Sequence, residues 1–403
     1  MRLFSTQPTI NTDKEKIHDI LTRGVEDVFV KEDLEKKLLS GKQLRVKLGF
    51  DPTGARIHIG RAIVLRKLKA FQDLGHQIVF IVGDFTAQVG DPSDKLDKRP
   101  MLSKEKIKEN IKDYKRQVGK IIDVSKAEFH FNSTWLSKLG FQEIAELAES
   151  FSVQQMSSRR NFKERFESGT EVSLREFLYP LMQGYDSVQV KADIELGGFD
   201  QLFNLKAGRI IQKHYGMKEQ DVLTIQMLEG TDGRKMSTSW GNIITILDEP
   251  SDMYGKIMSM KDELIPQYFL LCTELSQEEI EKATNNIHPK EAKMRLAREI
   301  VTLYHNKEKA QLAEQDFIQT FNKGGIPEDT PKVTTNKGTK LSDVLLEANT
   351  ISSKSEFKRL AEEGGIKNTD TETPITNIHE TIEGPLTLKI GKKRFIKIEF
   401  RST

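Results

Sequence analysis

Residues 52–61 (PTGARIHIGR) combine residue types that bind anions, at what reads as the start of a helix. His58 and Arg61 are three residues apart, so on a helix they share one face. The first turn of a helix also offers free backbone N–H groups and the positive end of the helix dipole. Gly60 would let a flat base approach the backbone closely, and Thr53 would add a hydroxyl donor. The segment predicts a nucleotide phosphate site, with an ordinary surface helix start as the alternative.

A second candidate segment lies at residues 229–242 (EGTDGRKMSTSWGN). Two adjacent cations, Arg234 and Lys235, precede a run of hydroxyl side chains that begins at Ser237. The segment contains three glycines and no hydrophobic period, which is typical of a loop. A basic loop of this kind could close on phosphates and stabilise the charge that develops in a transition state. The alternative is a solvated turn with incidental basic residues.

A third candidate is the predicted helix 173–190, which contains LREFLYPLMQGYD. Tyr179, Gln183 and Asp186 follow the spacing i, i+4 and i+7 and therefore lie on one face. Their neighbours are largely apolar, so the face is expected to be buried, and buried polar groups need partners. A bound ammonium and a bound phenol would supply those partners, whereas an exposed helix face is the alternative.

The order HIGR and then KMSTS resembles the two signature motifs of class I aminoacyl-tRNA synthetases, between which the phosphates of ATP lie. With GDFT…GDPS and the GYDS helix, the chain is similar to the long-chain bacterial tyrosyl-tRNA synthetases from about residue 15 to 400. The resemblance implies a ligase that uses ATP with Mg²⁺ to convert L-tyrosine into tyrosyl-adenylate and transfers the tyrosine to tRNA(Tyr). It further implies a cytoplasmic homodimer without a structural metal.

Site residues are implied by the same resemblance, position by position. Catalysis would fall to Thr53, His58, Arg61 and Lys235. ATP would contact Gly49, Asp51, Gly60, Gly198, Asp200, Lys235, Met236, Ser237 and Thr238. Tyrosine would contact Lys47, Asp91, Tyr179, Gln183, Asp186 and Gln201. Within this last set Asp91, Tyr179 and Gln183 would hold the α-amino group and Asp186 the phenol hydroxyl. Two further cations would approach the pyrophosphate, Lys95 and Arg99.

Four positions depart from the family pattern. Arg61 stands where a histidine is usual, so it keeps a fixed charge. Thr238 stands where lysine is frequent, which leaves more of the phosphate charge to Lys235. Lys47 occupies the position of a tyrosine that meets the substrate phenol in many relatives, and Phe199 replaces a small residue for no reason visible in the sequence.

Two alternatives stay open at this stage. The tryptophanyl enzymes share the fold and both signatures, although YPLMQGYD and GGFDQ favour tyrosine. A non-catalytic RNA-binding protein on the same scaffold would lose phosphate-site residues, which the departures above hint at. The intact set of Asp91, Tyr179, Gln183, Asp186 and Asp200 argues against the second alternative.

Strand and helix patterns alternate over the first 230 residues or so, which predicts an α/β, Rossmann-like doubly wound parallel sheet. The strand pattern 44–50 and the buried run 77–83 flank a helical pattern at 58–74. Further units follow, with helical patterns near 104–121 and 152–166, up to a strand at 221–228. The motif turns all follow predicted strands, so they should converge on one crevice at the carboxyl ends of the sheet.

The predicted domains are a catalytic domain over 1–248, an α-helical anticodon-side domain over 249–321, a linker over 322–340 and an RNA-binding domain over 341–403. The linker segment is rich in Gly, Pro, Thr and Lys. The last domain resembles the small α-L RNA-binding fold: two short helices, then GGI and a basic β-ribbon. Its predicted phosphate contacts are Lys389, Lys392, Lys393 and Arg394.

Composition sets outer limits on these interpretations. The 403 residues carry 62 basic and 60 acidic side chains, so net charge alone identifies no partner. No apolar run reaches the roughly 18 residues of a membrane span. The single cysteine, Cys272, leaves no internal disulfide and favours a reducing compartment.

Overall fold

The computed structural model describes residues 9–93, 102–237, 240–322, 330–369, 371, 373–391 and 394–400. The chain divides into two compact units, Met1–Lys307 and Glu308–Thr403. Each unit contains its own β-sheet. Within the described part of the chain, no helix has the length and apolar character needed to cross a membrane.

The first unit is built on a six-stranded sheet in the order β1-β6-β5-β2-β3-β4. All neighbouring strands are parallel except β1, which runs antiparallel to β6 at the edge. The strands are β1 (Val25–Phe29), β2 (Arg45–Phe50), β3 (Gln77–Val82), β4 (Glu128–Phe131), β5 (Ile194–Gly198) and β6 (Asp221–Ile225). The doubly wound sheet predicted from the sequence is confirmed. Strand β1 escaped prediction because it is a short edge strand with no fully buried residue.

The order of the strands creates a crevice beside β2. The chain proceeds from β2 to β3 and β4 on one side, whereas β5 and β6 lie on the other side. A doubly wound sheet binds its ligand at such a reversal, outside the carboxyl ends of the strands. The pairing of β2 with β5 sets Val46 opposite Ile194 and Lys47 opposite Glu195. Two buried charged side chains, Lys47 and Glu195, therefore meet across these neighbouring strands.

Helices of the first unit lie between the strands and continue after β6. Two predicted helices are each divided: 104–121 breaks at Asp113, whose carboxylate pairs with Arg116, and 152–166 breaks after Ser157. The helices before β5 are α1 (Lys14–Thr22), α2 (Lys31–Leu39), α3 (Ile59–Asp73), α4 (Thr86–Val89), α5 (Lys104–Ile111), α6 (Tyr114–Val118), α7 (Ser133–Leu136), α8 (Phe141–Ala148), α9 (Val153–Ser157), α10 (Arg160–Glu167) and α11 (Leu174–Gln189). Those after β5 are α12 (Leu202–His214), α13 (Pro250–Met258), α14 (Ile265–Cys272), α15 (Gln277–Thr284) and α16 (Pro289–Tyr304).

Helix α17 (Lys307–Asn322) starts at the unit boundary. The second unit then contains α18 (Leu341–Glu347), α19 (Lys354–Glu362) and a sheet in the order β7-β10-β9-β8. Its strands are β7 (Lys332–Thr335), β8 (Ile366–Asn368), β9 (Leu386–Ile390) and β10 (Arg394–Phe400). Apolar residues of both helices and of β8 to β10 form one core. The predicted linker 322–340 therefore includes a strand, because β7 pairs in parallel with β10.

Candidate active site

A cavity of about 520 Å³ opens where the turns after β2, β5 and β6 converge. It lies at the reversal of strand order, as predicted for a doubly wound sheet. The cavity is bounded by most of the residues that the sequence singles out. They are Gly49, Asp51, Thr53, His58, Gly60, Arg61, Asp91, Tyr179, Gln183, Gly198, Asp200, Gln201, Lys235, Met236 and Ser237.

The turn that follows β2 is held by a polar stripe on α5 and α6. Asn110 donates to the carbonyl of Pro52 at 2.7 Å, and the hydroxyl of Tyr114 donates to the carbonyl of Gly54 at 3.0 Å. Gln117 donates to the carbonyl of Ala55 at 2.8 Å and accepts from the N–H of Ile57 at 2.8 Å. The three side chains are buried. The sequence signal for this stripe was the spacing i, i+4, i+7 of polar residues within a helical pattern.

Arg61 faces this same turn. Its guanidinium donates to the carbonyl of Asp51 and to the hydroxyl of Tyr114, both at 3.1 Å, and to Thr53 Oγ1 at 3.0 Å. The ring of Phe50 lies 5.4 Å below the guanidinium carbon. These bonds orient Arg61 toward the turn, where it braces Thr53 at the wall of the same cavity.

His58 stands at the N-terminus of α3 with an unsatisfied nitrogen. Its Nδ1 is buried and has no hydrogen-bond partner among the described residues. Burial lowers the pKa of His58 to about 3, and the positive charge of Arg61 acts in the same direction. The imidazole is therefore neutral at pH 7. A Cβ at Gly60 would lie 2.9 Å from Met236 Sδ and 3.1 Å from His58 Nδ1, so a larger residue at this position would have to displace both side chains.

The basic loop is fastened by Asn242, which sequence reasoning missed. The side-chain amide of Asn242 donates to Asp232 Oδ1 at 2.8 Å and to the carbonyl of Lys235 at 3.0 Å. Its Oδ1 accepts from the N–H of Ser237 at 2.8 Å. Lys235 Nζ lies 3.9 Å from Asp200 Oδ2 across the cavity. The predicted residues Thr238, Lys95 and Arg99 lie outside the described part of the chain.

Carboxylates dominate the deeper part of the cavity. Asp51 accepts from the hydroxyl of Tyr179 at 2.8 Å and from Thr86 Oγ1 at 2.7 Å. Burial raises the pKa of Asp51 to about 6, and the nearby Asp91 carboxylate also raises it, while the two hydroxyl bonds oppose the change. Asp91 accepts from Gln201 Nε2 at 2.6 Å. These groups present negative charge and oxygen acceptors, which suit a bound cation.

Asp186 and Lys47 lie outside the residues that line the cavity, in contrast to the prediction. Lys47 is 1% exposed and its Nζ is 2.9 Å from Glu195 Oε1. The prediction that Lys47 meets the substrate is corrected, because the ammonium is occupied within the protein. Asp186 accepts from Trp135 Nε1 at 2.7 Å and from Asn132 Nδ2 at 3.2 Å. Burial raises the pKa of Asp186 to about 7, and the charge of Lys47 opposes the change.

Comparison with known proteins decides the family. Residues 39–322 match the family model of class I tRNA synthetases (W and Y). A tyrosine–tRNA ligase from Thermotoga maritima is 45% identical over 387 residues, 94% of this chain and 96% of its own length. One from Aquifex aeolicus is 44% identical over 381 residues, 94% of this chain and 97% of its own. The chain belongs to the tyrosine–tRNA ligases.

Solved structures agree with this family at the level of the fold. A C-terminally truncated mitochondrial tyrosyl-tRNA synthetase from Aspergillus nidulans superposes with a TM-score of 0.64 at 23% identity, over 77% of this chain and 95% of that one. A tyrosyl-tRNA synthetase from Archaeoglobus fulgidus, complexed with L-tyrosine, gives a TM-score of 0.59 at 22% identity over 74% and 99%. Both support the Rossmann-like fold.

A buried arginine supports the Asp91 turn of this ligase and was missed from the sequence. Arg159 donates to Ser93 Oγ at 3.0 Å, and its guanidinium lies 4.5 Å from the centre of the Phe203 ring. Burial lowers the pKa of Arg159 to about 10, with the Asp91 carboxylate opposing. Asn161 donates to the carbonyl of Pro92 at 2.6 Å. The turn that carries Asp91 is thus anchored from the segment before α11.

The predicted RNA contacts of the second unit are only partly described. Lys389 lies 5.7 Å from the centre of the Phe395 ring, on neighbouring strands. Arg394 is engaged inside the unit, since its guanidinium donates to Glu356 Oε1 at 2.8 Å. Part of the Arg394 charge is therefore already compensated, which leaves less of it for the predicted contact with RNA phosphate. The remaining two predicted contacts, Lys392 and Lys393, lie outside the described residues.

The fastening of the basic loop leads to a kinetic prediction. Asn242→Ala removes three hydrogen bonds, each worth about 0.5–1.5 kcal/mol, and so frees the segment that carries Lys235. We expect adenylate formation, measured as single-turnover pyrophosphate release, to slow by about tenfold or more. Equilibrium binding of tyrosine should change by less than about twofold. Asn285→Ala, at the exposed end of α15, is the matched control. An equal loss of tyrosine affinity and rate would contradict the assignment to the loop.

Proposed function

We propose that the cavity binds ATP and L-tyrosine side by side and joins them as tyrosyl-adenylate before the tyrosine passes to tRNA(Tyr). One observation carries this proposal. The helix start with His58, the fastened loop with Lys235 and three residues of the tyrosine motif, Asp91, Tyr179 and Gln183, line the same cavity at the switch point of the sheet. A binding protein that lacked catalysis would have no need for the loop residue and the helix start to share one cavity.

The nucleotide is assigned to the helix-start side of the cavity. His58 Nδ1 is a buried, unsatisfied group at a helix N-terminus, where phosphate oxygens are favoured. Lys235 brings a cation from the opposite wall, and Thr53 adds a hydroxyl that Arg61 holds in place. Asp200 accepts from a ribose hydroxyl. The remaining nucleotide contacts are assigned to Gly49, Asp51, Gly60, Gly198, Met236, Ser237 and Thr238, with Mg²⁺ entering as part of the ATP complex.

Tyrosine is assigned to the carboxylate side. The α-ammonium lies among Asp91, Tyr179 and Gln183, where acceptor oxygens and negative charge concentrate. Gln201 completes this end. Asp186 is the proposed phenol reader: each of its oxygens already accepts one bond and keeps further lone pairs. A site built to hydrogen-bond a hydroxyl rejects the analogue that lacks it. Rejection of phenylalanine by tyrosyl-tRNA synthetases is a known example of this rule.

The reaction needs no covalent enzyme intermediate. The tyrosine carboxylate attacks the α-phosphorus of ATP in line, and pyrophosphate leaves with its added charge. The residues contribute position and charge stabilisation: the neutral His58 and the loop cation Lys235 face the leaving group, and Thr53 assists from the turn. Because burial and the charge of Arg61 keep His58 neutral at pH 7, it acts as a hydrogen-bond donor rather than as a cation.

The remaining parts of the chain are assigned to tRNA. We retain the functional division proposed from the sequence, with a catalytic part over 1–248, anticodon-side helices over 249–321 and RNA binding by 341–403. The basic β9–β10 ribbon, with Lys389, supports the last assignment. A tRNA substrate and the single buried thiol at Cys272 both favour a cytoplasmic location for the protein.

A homodimer is proposed on the surface of α8 to α11. Phe141 is 90% exposed, Leu174 76% and Val153 75%, and they flank partly buried aromatic residues that pack on one core cluster. We take these three exposed apolar side chains as the candidate interface, because large apolar surface left in water marks a site of association. Sedimentation equilibrium at micromolar concentration should give twice the chain mass of 46.0 kDa. Phe141→Asp with Leu174→Asp should shift the equilibrium to monomer, whereas the exposed control Leu312→Asp should not. A monomeric parent chain would contradict the proposal.

The decisive experiment for the function is ATP–pyrophosphate exchange with each of the twenty amino acids. We expect exchange with tyrosine and a background rate with the others, including phenylalanine and tryptophan. Exchange with tryptophan instead would favour the tryptophanyl alternative. The absence of exchange with every amino acid would favour a non-catalytic RNA-binding protein.

A further inference from the structure

A buried ion pair lies behind the tyrosine side of the cavity. Lys47 on β2 and Glu195 on β5 face each other across paired strands, and each side chain is 1% exposed. The Glu195 carboxylate accepts from Lys47 and Gln183 at Oε1, and from Ser187 and Gln220 at Oε2. Four donors therefore satisfy this carboxylate, which offsets much of the cost of removing it from water.

The pair holds Gln183 at two points. Glu195 Oε1 accepts from the side-chain Nε2 of Gln183 at 3.0 Å. Lys47 Nζ donates to the backbone carbonyl of the same residue at 2.9 Å. Gln183 also lines the cavity, so the contacts behind it decide which part of its amide is offered to a ligand.

The chemistry of a carboxylate fixes the orientation of that amide. An ionised carboxylate accepts hydrogen bonds and donates none, so only the NH₂ side of Gln183 can face Glu195. The amide oxygen is thereby directed away from Glu195 and is left for the cavity. The neighbouring ammonium of Lys47 balances the charge of Glu195, so the pair orients the amide while adding little net charge.

We propose that Glu195, with Lys47 as its counter-charge, is a positioning residue that turns Gln183 into an acceptor for the α-ammonium of the substrate. The inference rests on the proposed function, because it assigns the ammonium to the Gln183 side of the cavity. It also accounts for Lys47, which does not reach the cavity itself. A glutamine at position 195 would donate as well as accept, and the amide of Gln183 would lose its fixed orientation.

The test compares two ligands that differ only in the ammonium. Binding of L-tyrosine and of 3-(4-hydroxyphenyl)propanoate is measured by calorimetry with the full chain. In Glu195→Gln we expect tyrosine affinity to fall on the order of 10- to 100-fold, the range for losing a hydrogen bond to a charged group. Affinity for the deaminated analogue should change by less than about threefold. A merely structural role would weaken both ligands alike.

Two further variants serve as controls for this comparison. Glu195→Gln leaves the Lys47 charge unbalanced, so Lys47→Met with Glu195→Gln removes both charges and should show the same selective loss for tyrosine. Ser187→Ala removes a donor to the other oxygen of Glu195 and one acceptor of Lys47 Nζ, but it leaves the contact between Glu195 and Gln183, so it should affect neither ligand by more than about threefold.

The outcomes separate this inference from the proposed function. Parallel losses for the two ligands in both Glu195 variants, or unchanged tyrosine affinity, would overturn the positioning role while tyrosine binding by the parent chain upholds the function. A parent chain that binds neither ligand would overturn both.

Discussion

Four carboxylates lie close to one another at and behind the cavity, largely removed from water, and the groups that stabilise them organise the site. They belong to Asp51, Asp91, Asp186 and Glu195. Removing a carboxylate from water costs several kcal/mol unless donors replace the lost hydration. Tyr179 and Thr86 donate to Asp51, and Gln201, Asn204 and the backbone N–H of Ser93 donate to Asp91. Trp135 and Asn132 donate to Asp186, and Lys47 with three neutral groups donates to Glu195. Among the described residues, Glu195 alone of the four has a cation in direct contact, the ammonium of Lys47. The carboxylates that face the cavity, Asp51 and Asp91, have no such counter-charge in the part of the chain that the structure describes, and this explains why the arrangement suits an ammonium as its ligand.

The fold serves this arrangement by bringing distant segments to one edge of the sheet. Parallel strands deliver the turns after β2, β5 and β6 to the same end, and α11 contributes Tyr179 and Gln183 from one face. The turn after β2 has no regular structure of its own, so the Asn110, Tyr114 and Gln117 side chains bind its carbonyls. Arg61 belongs to this bracing system. An arginine reaches the turn with a fixed planar fork of donors, so at the wall of the cavity it holds both the carbonyl of Asp51 and the hydroxyl of Thr53.

The sequence predicted the sheet, the cavity and most of its lining because these depend on local periodicity and on short motifs. Buried runs such as β3 and the polar face of α11 are visible within a few residues. What it could not predict depends on pairing between distant segments. The family resemblance places Lys47 at the substrate, whereas its actual partner, Glu195, lies 148 residues away in the sequence and meets it only across paired strands. Asn242, Arg159 and β7 were not predicted for the same reason, because each acts through contacts that no local sequence pattern encodes.

The central claim is that the carboxylate cluster is prepared for the ammonium and phenol of tyrosine, and proton linkage tests it most directly. Burial raises the pKa of Asp51 to about 6 and that of Asp186 to about 7, so both are partly protonated at pH 6.5. An ammonium bound at Asp91 offsets the charge that helps to raise the pKa of Asp51, and a phenol donor stabilises the ionised form of Asp186, so both pKa values fall and binding must release protons. Calorimetric titration of tyrosine at pH 6.5, in two buffers of different ionisation enthalpy, should report net proton release. Binding enthalpies that do not depend on the buffer, or net proton uptake, would contradict the account.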